Sequence, residues 1–199
     1  MLYHPTFGDP TLVSSWGNSY NNGAWTYGRW SETAGYTSAT LFQGNTATYK
    51  EPRQGGAGTC YFISAIAGAA EWPSLITSMF VTGTDQSGPN AGLIGIRFYI
   101  RGKPWVVTID DKLFWYTSGG NKYLKFNQPD ATNRVFWPPI LEKAWAKVKG
   151  NYEAVEGGFV VSGLRSLTGA PVFTYKTSVI GTANNPTEAD VFALFEAAN

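Results

Sequence analysis

The only cysteine of the chain, Cys60, follows a glycine-rich run that begins at Gln54. Residues 54–60 are Gln-Gly-Gly-Ala-Gly-Thr-Cys, and an apolar pattern with helical spacing starts directly after them. We predict that the hydroxyl group of Thr59 caps this helix and that Cys60 lies in its first turn. The helix dipole and the free amides of that turn favour a thiolate over a thiol. Because the thiolate is the nucleophilic form of cysteine, Cys60 is a candidate nucleophile.

Gln54 is a candidate oxyanion donor, because a flexible glycine loop can fold its amide group back beside the thiol. Two other interpretations concern the same stretch. A lone cysteine in an apolar helix is commonly a small buried hydrophobe, and this alternative stays open. A glycine run before a helix can also hold a phosphate group, but this run lacks the Lys-Ser/Thr ending of a P-loop and the spacing of a dinucleotide fingerprint.

Five helices and one β hairpin are expected to position these residues. The first two helices cover 59–71, ending at Trp72-Pro73, and Pro73 to about Phe80, and the hairpin strands follow over 95–100 and 105–109. The third helix runs from Pro138 to Lys149 and is stopped by Gly150. A short helix after Gly157-Gly158 and a last helix capped by Thr187 and Asp190 complete the chain. Residues 116–134 are polar and rich in turn formers, so no regular element is predicted there.

Residues 1–48 are poor in charge and rich in glycine, asparagine and aromatic residues, without a helical period. This composition predicts an irregular arm whose aromatic side chains pack on another surface. One interpretation is an N-terminal segment packed on the same domain. The other is a surface for a partner, because exposed aromatic residues are common at interfaces.

The composition restricts the class of protein. With 199 residues, 43% of them hydrophobic, the chain is long enough for one full domain with a real core. A net charge of +1 without a basic stripe argues against nucleic-acid binding. No apolar run reaches the length of a membrane span, and one cysteine excludes an internal disulfide, so a reducing cytoplasmic setting is expected.

Four collinear blocks resemble the calpain family of papain-like cysteine proteases. The segment Gln54–Cys60 is similar to the Gln-Gly-x-x-Gly-Asp-Cys-Trp motif of that family. The other blocks are a hairpin over 95–111 that ends in Asp110-Asp111, a Leu-Glu-Lys-Ala helix that begins at Leu141, and the Gly-Gly and Leu-Thr-Gly segments at 157–158 and 167–169. Thr59 and Tyr61 replace the aspartate and tryptophan of the family motif.

The resemblance implies an α+β, papain-like fold in which residues 1–48 form the arm. Residues 49–199 would then form the helical first protease subdomain with its small antiparallel hairpin. It implies a cysteine endopeptidase in which Cys60 attacks a peptide carbonyl group and Gln54 stabilises the oxyanion. The substrates would be proteins.

The histidine and asparagine of the family lie on a second subdomain, after the cysteine. The single histidine of this chain, His4, precedes Cys60 and is interpreted as an ordinary terminal histidine. The isolated chain is therefore expected to be inactive and to need another segment or chain. The alternative is a non-catalytic calpain-like module in a protein assembly, with the cytoskeleton as one setting.

The resemblance also implies a calcium loop, with acidic ligands at Glu51 and Asp130 and a backbone carbonyl at Gly44. The competing interpretation is two solvated acids.

Asp110 and Asp111 are expected to cap a turn or to pair with Arg97 or Arg101. The remaining charged set, interpreted as the solvated face of a helix, consists of Glu142, Lys143, Lys147 and Lys149.

Overall fold

The structure is a computed structural model, and it describes residues 25–83, 92–130, 135–173 and 186–197. The strands in these ranges are β1 (Trp25–Arg29), β2 (Phe80–Thr82), β3 (Leu93–Ile100), β4 (Lys103–Asp110), β5 (Lys112–Ser118) and β6 (Asn121–Leu124). The α-helices there are α1 (Cys60–Ala69), α2 (Pro73–Thr77), α3 (Trp137–Lys149), α4 (Val160–Thr168) and α5 (Glu188–Ala197). A single 3-10 turn, Trp30–Glu32, follows β1.

The strands form two antiparallel sheets with the orders β1-β5-β6 and β2-β3-β4. The predicted hairpin is confirmed as β3–β4, whose register runs from Leu93 opposite Asp110 to Ile100 opposite Lys103. Its turn uses positive φ angles of 52° at Arg101 and 77° at Gly102. The expected mixture of helices with an antiparallel hairpin is therefore present, with more β structure than the sequence indicated.

Strands β1, β2, β5 and β6 are the part of the sheet structure that the sequence analysis missed. β5 and β6 are joined by Gly119-Gly120, and β1 pairs along β5 from Trp25 opposite Tyr116 to Arg29 opposite Lys112. The polar residues that suggested turns lie on the exposed part of this hairpin, where alternation with apolar residues is weak.

Residues 25–48 pack on the same core as the helices, so the packed interpretation of the arm holds for this part. Trp30 is only 2% exposed and stacks on Phe136 with ring centroids 5.0 Å apart. Tyr36 packs against Trp115 at 4.9 Å. The prediction for residues 1–24, and that for His4, lies outside the described residues.

Several predicted helix boundaries are confirmed. Gly150, with φ of 118°, ends α3. Before α5, the backbone amide of Asp190 donates to Thr187 Oγ1 at 3.2 Å and the amide of Thr187 donates to the Asp190 carboxylate at 2.7 Å, which is the predicted capping box. α2 is shorter than predicted because Phe80 begins β2.

Across the described ranges, no helix combines the length and the apolar character needed to cross a membrane.

The interpretation of the charged residues on α3 as a solvated face is wrong for its first two members. Glu142 and Lys143 are fully buried. Glu142 contacts Thr59 and Asn127, and Lys143 contacts Asp110 of β4 and Lys112 of β5. Lys147 is half-buried and donates to the Thr108 carbonyl at 2.8 Å. Only Lys149 is exposed, with its ammonium group 4.9 Å from the ring of Trp145.

The acidic pair at the end of β4 is also buried. Asp110 caps its turn, as predicted, by accepting from the backbone amide of Lys112 at 2.8 Å. The predicted arginine partners are wrong, because Asp111 lies 3.4 Å from Nε of Arg29 on β1, a strand that the sequence did not indicate. Burial raises the pKa of the Asp111 carboxyl group above its ordinary value, and Arg29 offsets only part of this effect.

Candidate active site

Cys60 is the first residue of α1, and its side chain is exposed. The opposite face of α1 is anchored, because Phe62 is fully buried and stacks on Trp145 with centroids 5.0 Å apart and ring planes within 1°. The interpretation of this cysteine as a buried hydrophobe is therefore wrong. A rigid helix presents the thiol to solvent at the end that carries the positive pole of the dipole.

The glycine run before Cys60 is held by close backbone contacts on one side. The amide of Gly56 donates to the Lys125 carbonyl at 2.8 Å. A Cβ atom on Gly55 would lie only 1.5 Å from the carbonyl oxygen of Phe126. Glycine is required here because the two backbone segments approach so closely. The loop is thus fixed by packing, which differs from the flexible loop that we predicted.

A second segment holds the other side of the glycine run. The amide of Gly58 donates to Glu156 Oε1 at 3.2 Å, and the Gly58 carbonyl accepts from the amide of Gly157 at 2.9 Å. Next to it, Gly158 lies against the ring of Tyr61, where an added Cβ would come within 2.7 Å of ring carbon. The Gly157-Gly158 pair therefore lies beside the residues that lead into Cys60.

Gln54 closes the glycine run through its own side chain. Its amide group donates to the carbonyl oxygen of Ala57, and the side chain also lines a groove of about 510 Å³ together with Trp25, Tyr116 and Tyr123. The role of Gln54 as an oxyanion donor stays a prediction.

Thr59 occupies the N-cap position of α1, but the predicted cap through its side chain is wrong. Its hydroxyl group makes no hydrogen bond to the first turn and donates instead to Oε1 of the buried Glu142 on α3. The second oxygen of Glu142 accepts from the backbone amide of Asn127 at 2.8 Å. One carboxyl group thus joins the start of α1 to the segment that supports the glycine run.

The protonation of Glu142 is altered by this environment. Burial raises the pKa of its carboxyl group to about 7, and the hydrogen bonds from Thr59 and Asn127 offset only part of the desolvation. Sequence reasoning missed this residue by treating it as solvated. Its helical neighbours three and four positions away are Pro138, Pro139, Trp145 and Ala146. All four are apolar, which was a usable signal.

Tyr61, the residue after the candidate nucleophile, has a structural role. Its hydroxyl group accepts from Trp145 Nε1 at 2.9 Å, and burial raises the pKa of the phenol above its ordinary value. Because both rings are buried, this bond fixes α1 against α3 directly behind the exposed thiol.

The residues predicted to bind calcium are engaged in other contacts. Glu51 is buried and accepts from the amide of Thr48 at 2.9 Å and from Trp137 Nε1 at 2.5 Å. Asp130 pairs with the guanidinium group of Arg53 at 2.8 Å, and Gly44 is exposed with φ of 58°. Among the described residues, no group of three or more histidine, cysteine or acidic side chains is arranged to hold a metal ion. Both carboxylates are thus engaged in protein contacts, and calcium binding by them stays a prediction.

The comparisons with known proteins point to one family. The profile of the calpain family cysteine proteases matches residues 11–198. The chain is 36% identical over 124 residues to calpain-8 of Rattus norvegicus, covering 62% of this chain and 17% of that protein. It is 36% identical over 132 residues to the calpain-type cysteine protease DEK1 of Zea mays, covering 65% and 6%. It is 30% identical over 156 residues to the human calpain-1 catalytic subunit, covering 78% and 21%.

The structure is a mixed helix and sheet domain with an exposed cysteine at a helix start, and the profile matches nearly its whole length. The chain belongs to the calpain family. It spans between 6% and 21% of the length of the three relatives named above.

Proposed function

We propose that this chain is the nucleophile-bearing part of a calpain-like cysteine endopeptidase with a papain-like fold. The observation that carries the proposal is the exposed thiol of Cys60 at the first residue of a helix whose opposite face is buried. The thiol lies at the positive end of the α1 dipole, and the packed glycine run holds the approach to it in one conformation.

In the proposed reaction, the thiolate sulfur of Cys60 forms a bond to the carbonyl carbon of a peptide substrate. The amide of Gln54 donates to the oxygen on which negative charge develops. The C–N bond then breaks, and the leaving amine takes a proton from a histidine supplied by a second subdomain. Water next attacks the thioester carbon and gives a proton to the same histidine. The C–S bond breaks, the acid product leaves, and the thiolate is restored.

The 199-residue chain alone is proposed to be inactive, because its one histidine, His4, is not expected to supply the base. Loss of one member of such a catalytic unit costs on the order of a million-fold in turnover in the protease subtilisin. The histidine and asparagine would come from a following segment or from another chain. The substrates are proposed to be proteins, and the setting cytoplasmic.

The test compares peptide hydrolysis by this chain alone and by the chain joined to a calpain-type second subdomain. We expect hydrolysis only from the joined protein, and we expect Cys60→Ala to abolish it. Ser64→Ala, an exposed change one turn further along α1, is the matched control. Equal activity of the Cys60→Ala protein would contradict the proposal.

The second candidate is a non-catalytic module that binds a protein assembly, including the cytoskeleton. The observation in its favour is a set of exposed aromatic side chains on the described surface. The most exposed are Phe159 at 77%, Phe173 at 75%, Phe192 at 70% and Trp72 at 68%. This candidate predicts a joined protein without hydrolysis and a Cys60 that becomes inaccessible to thiol reagents when a partner binds.

A further inference from the structure

We propose that Glu142 is a positioning residue for the thiol of Cys60: its buried carboxyl group fixes the start of α1 against the segment that supports the glycine run. This inference rests on the proposed function, because it concerns the nucleophile of that reaction. Glu142 itself lies on α3, which carries no residue assigned to the reaction.

The first support is the geometry of the two hydrogen bonds. Oε1 of Glu142 accepts from the hydroxyl group of Thr59, the residue directly before Cys60, and Oε2 accepts from the amide of Asn127 at 2.8 Å. Asn127 follows Phe126, whose carbonyl oxygen lies against Gly55. The carboxyl group therefore contacts the residue directly before the nucleophile and the segment that supports the glycine run at the same time.

The second support is that, in the described part of the chain, no cationic side chain pairs with the Glu142 carboxyl group. Glu142 is fully buried, and the ion pairs among the described residues do not include it. Its neighbour Lys143 turns away to Asp110. Because a buried carboxylate without a cation is costly, the hydrogen bonds from Thr59 and Asn127 are what compensate its burial.

Protonation of Glu142 changes the direction of the bond at Thr59. The ionised carboxylate accepts from the Thr59 hydroxyl group, whereas the neutral acid donates its own proton to Thr59 Oγ1. The titratable group that faces this carboxyl group is Tyr61 on α1. Beside the glycine run lie Lys125, whose ammonium group is next to Gly56, and Glu156, which accepts from the amide of Gly58 at 3.2 Å, whereas Lys143 pairs with Asp110. Since the pKa of Glu142 is about 7, both forms are populated near neutral pH.

The test uses the full chain and two variants. Glu142→Gln keeps an acceptor for the Asn127 amide and a donor for Thr59 Oγ1 but cannot titrate. Glu71→Gln is the matched control, since it makes the same charge change at an exposed residue just after the other end of α1. The first readout is the pH dependence of the backbone amide signals of Thr59, Cys60 and Asn127 in nuclear magnetic resonance.

We expect these three signals to shift with a common midpoint near pH 7 in the wild-type chain and in Glu71→Gln, and to stop shifting in Glu142→Gln. The second readout is turnover of the joined protease. There we expect Glu142→Leu to lower kcat on the order of 100-fold, as for a small misplacement of a reacting group, with Glu142→Gln restoring most of the rate.

Amide signals that do not shift with pH, or that shift equally in Glu142→Gln, would overturn the inference. An active joined protease whose kcat is unchanged by Glu142→Leu would also overturn it. If Glu142→Leu does not fold, the amide titration of Glu142→Gln decides alone. A joined protease that is inactive although the amides titrate through Glu142 would instead contradict the proposed function, so the two failures are distinguishable.

Discussion

The ammonium group of Lys143 on α3 lies against the carboxylate of Asp110 at the end of β4, and both side chains are almost completely buried. The same ammonium group donates to the Lys112 carbonyl at 2.7 Å and to the hydroxyl group of Tyr27 on β1 at 2.9 Å. One cation thus joins the helix behind the candidate active site to strands of both sheets.

Removal of either member of this pair should be strongly destabilising, because the other charge is left buried without compensation. We expect Lys143→Met to lower the free energy of unfolding by about 3 to 5 kcal/mol in urea denaturation. Lys103→Met, at an exposed residue of the hairpin, is the control and should change stability by less than about 0.5 kcal/mol. Equal stability of the two variants would show that the buried pair contributes nothing.

Glu142 should make folding stability depend on pH. Its pKa is about 7 in the folded chain and near 4.5 in the unfolded chain, so the native state binds the proton more tightly. The resulting stabilisation is fully present below pH 4.5 and is lost as the pH rises through about 7, by on the order of 3 kcal/mol. Glu142→Gln should therefore gain stability relative to the wild type between about pH 5 and pH 8.

Calorimetry or urea denaturation of both chains across that range measures the effect. Burial also raises the pKa of Asp111, which adds a change of the same sign. That second contribution remains in both chains and cancels in their difference. A difference that stays constant with pH would contradict the assignment to Glu142.

Gly55 should be indispensable for the conformation of the glycine run that precedes Cys60. Gly55→Ala would place a Cβ atom 1.5 Å from the Phe126 carbonyl oxygen, so the loop must move. We expect a loss of stability together with slower alkylation of Cys60. Gly68→Ala on α1 is the matched control, because an added Cβ there meets nothing within 4 Å. It should stabilise the chain by about 0.5 to 1 kcal/mol as alanine replaces glycine in a helix.

Calcium binding at Glu51, Asp130 and Gly44 stays a prediction, and the structure suggests how to test it. Because Arg53 pairs with Asp130 at 2.8 Å, calcium must displace this guanidinium group. We expect Arg53→Gln to strengthen calcium binding and Asp130→Asn to weaken it, as measured by isothermal titration calorimetry. Identical heats for the wild type and both variants would exclude a site that uses Asp130.

The features that sequence reasoning predicted correctly are those with local signals. The hairpin follows from alternation over a few residues, and the last helix follows from Thr187 and Asp190, which lie three positions apart. The placement of Cys60 at a helix start was predicted in the same way. The resemblance then indicated the family, which the comparison of the whole chain confirmed.

The features that sequence reasoning missed depend on contacts between residues that are distant in the chain. The partner of β1 is β5, with Thr26 opposite Trp115, and no local pattern indicates such a pairing. The burial of Glu142 depends on Thr59 and Asn127, which come from other parts of the chain. The Thr59 cap failed for the same reason, since a buried carboxylate competes successfully for its hydroxyl group.

The most direct test of the central claim is the rate constant for alkylation of Cys60 by iodoacetamide in the folded chain. Because Cys60 is the only cysteine, the mass gained by the chain reports this thiol alone, and Cys60→Ser is the blank. We predict that at about pH 6 Cys60 reacts faster than free cysteine, because its exposed thiol lies at the positive end of the α1 dipole. A thiol that reacts no faster than free cysteine at any pH would contradict its role as a prepared nucleophile.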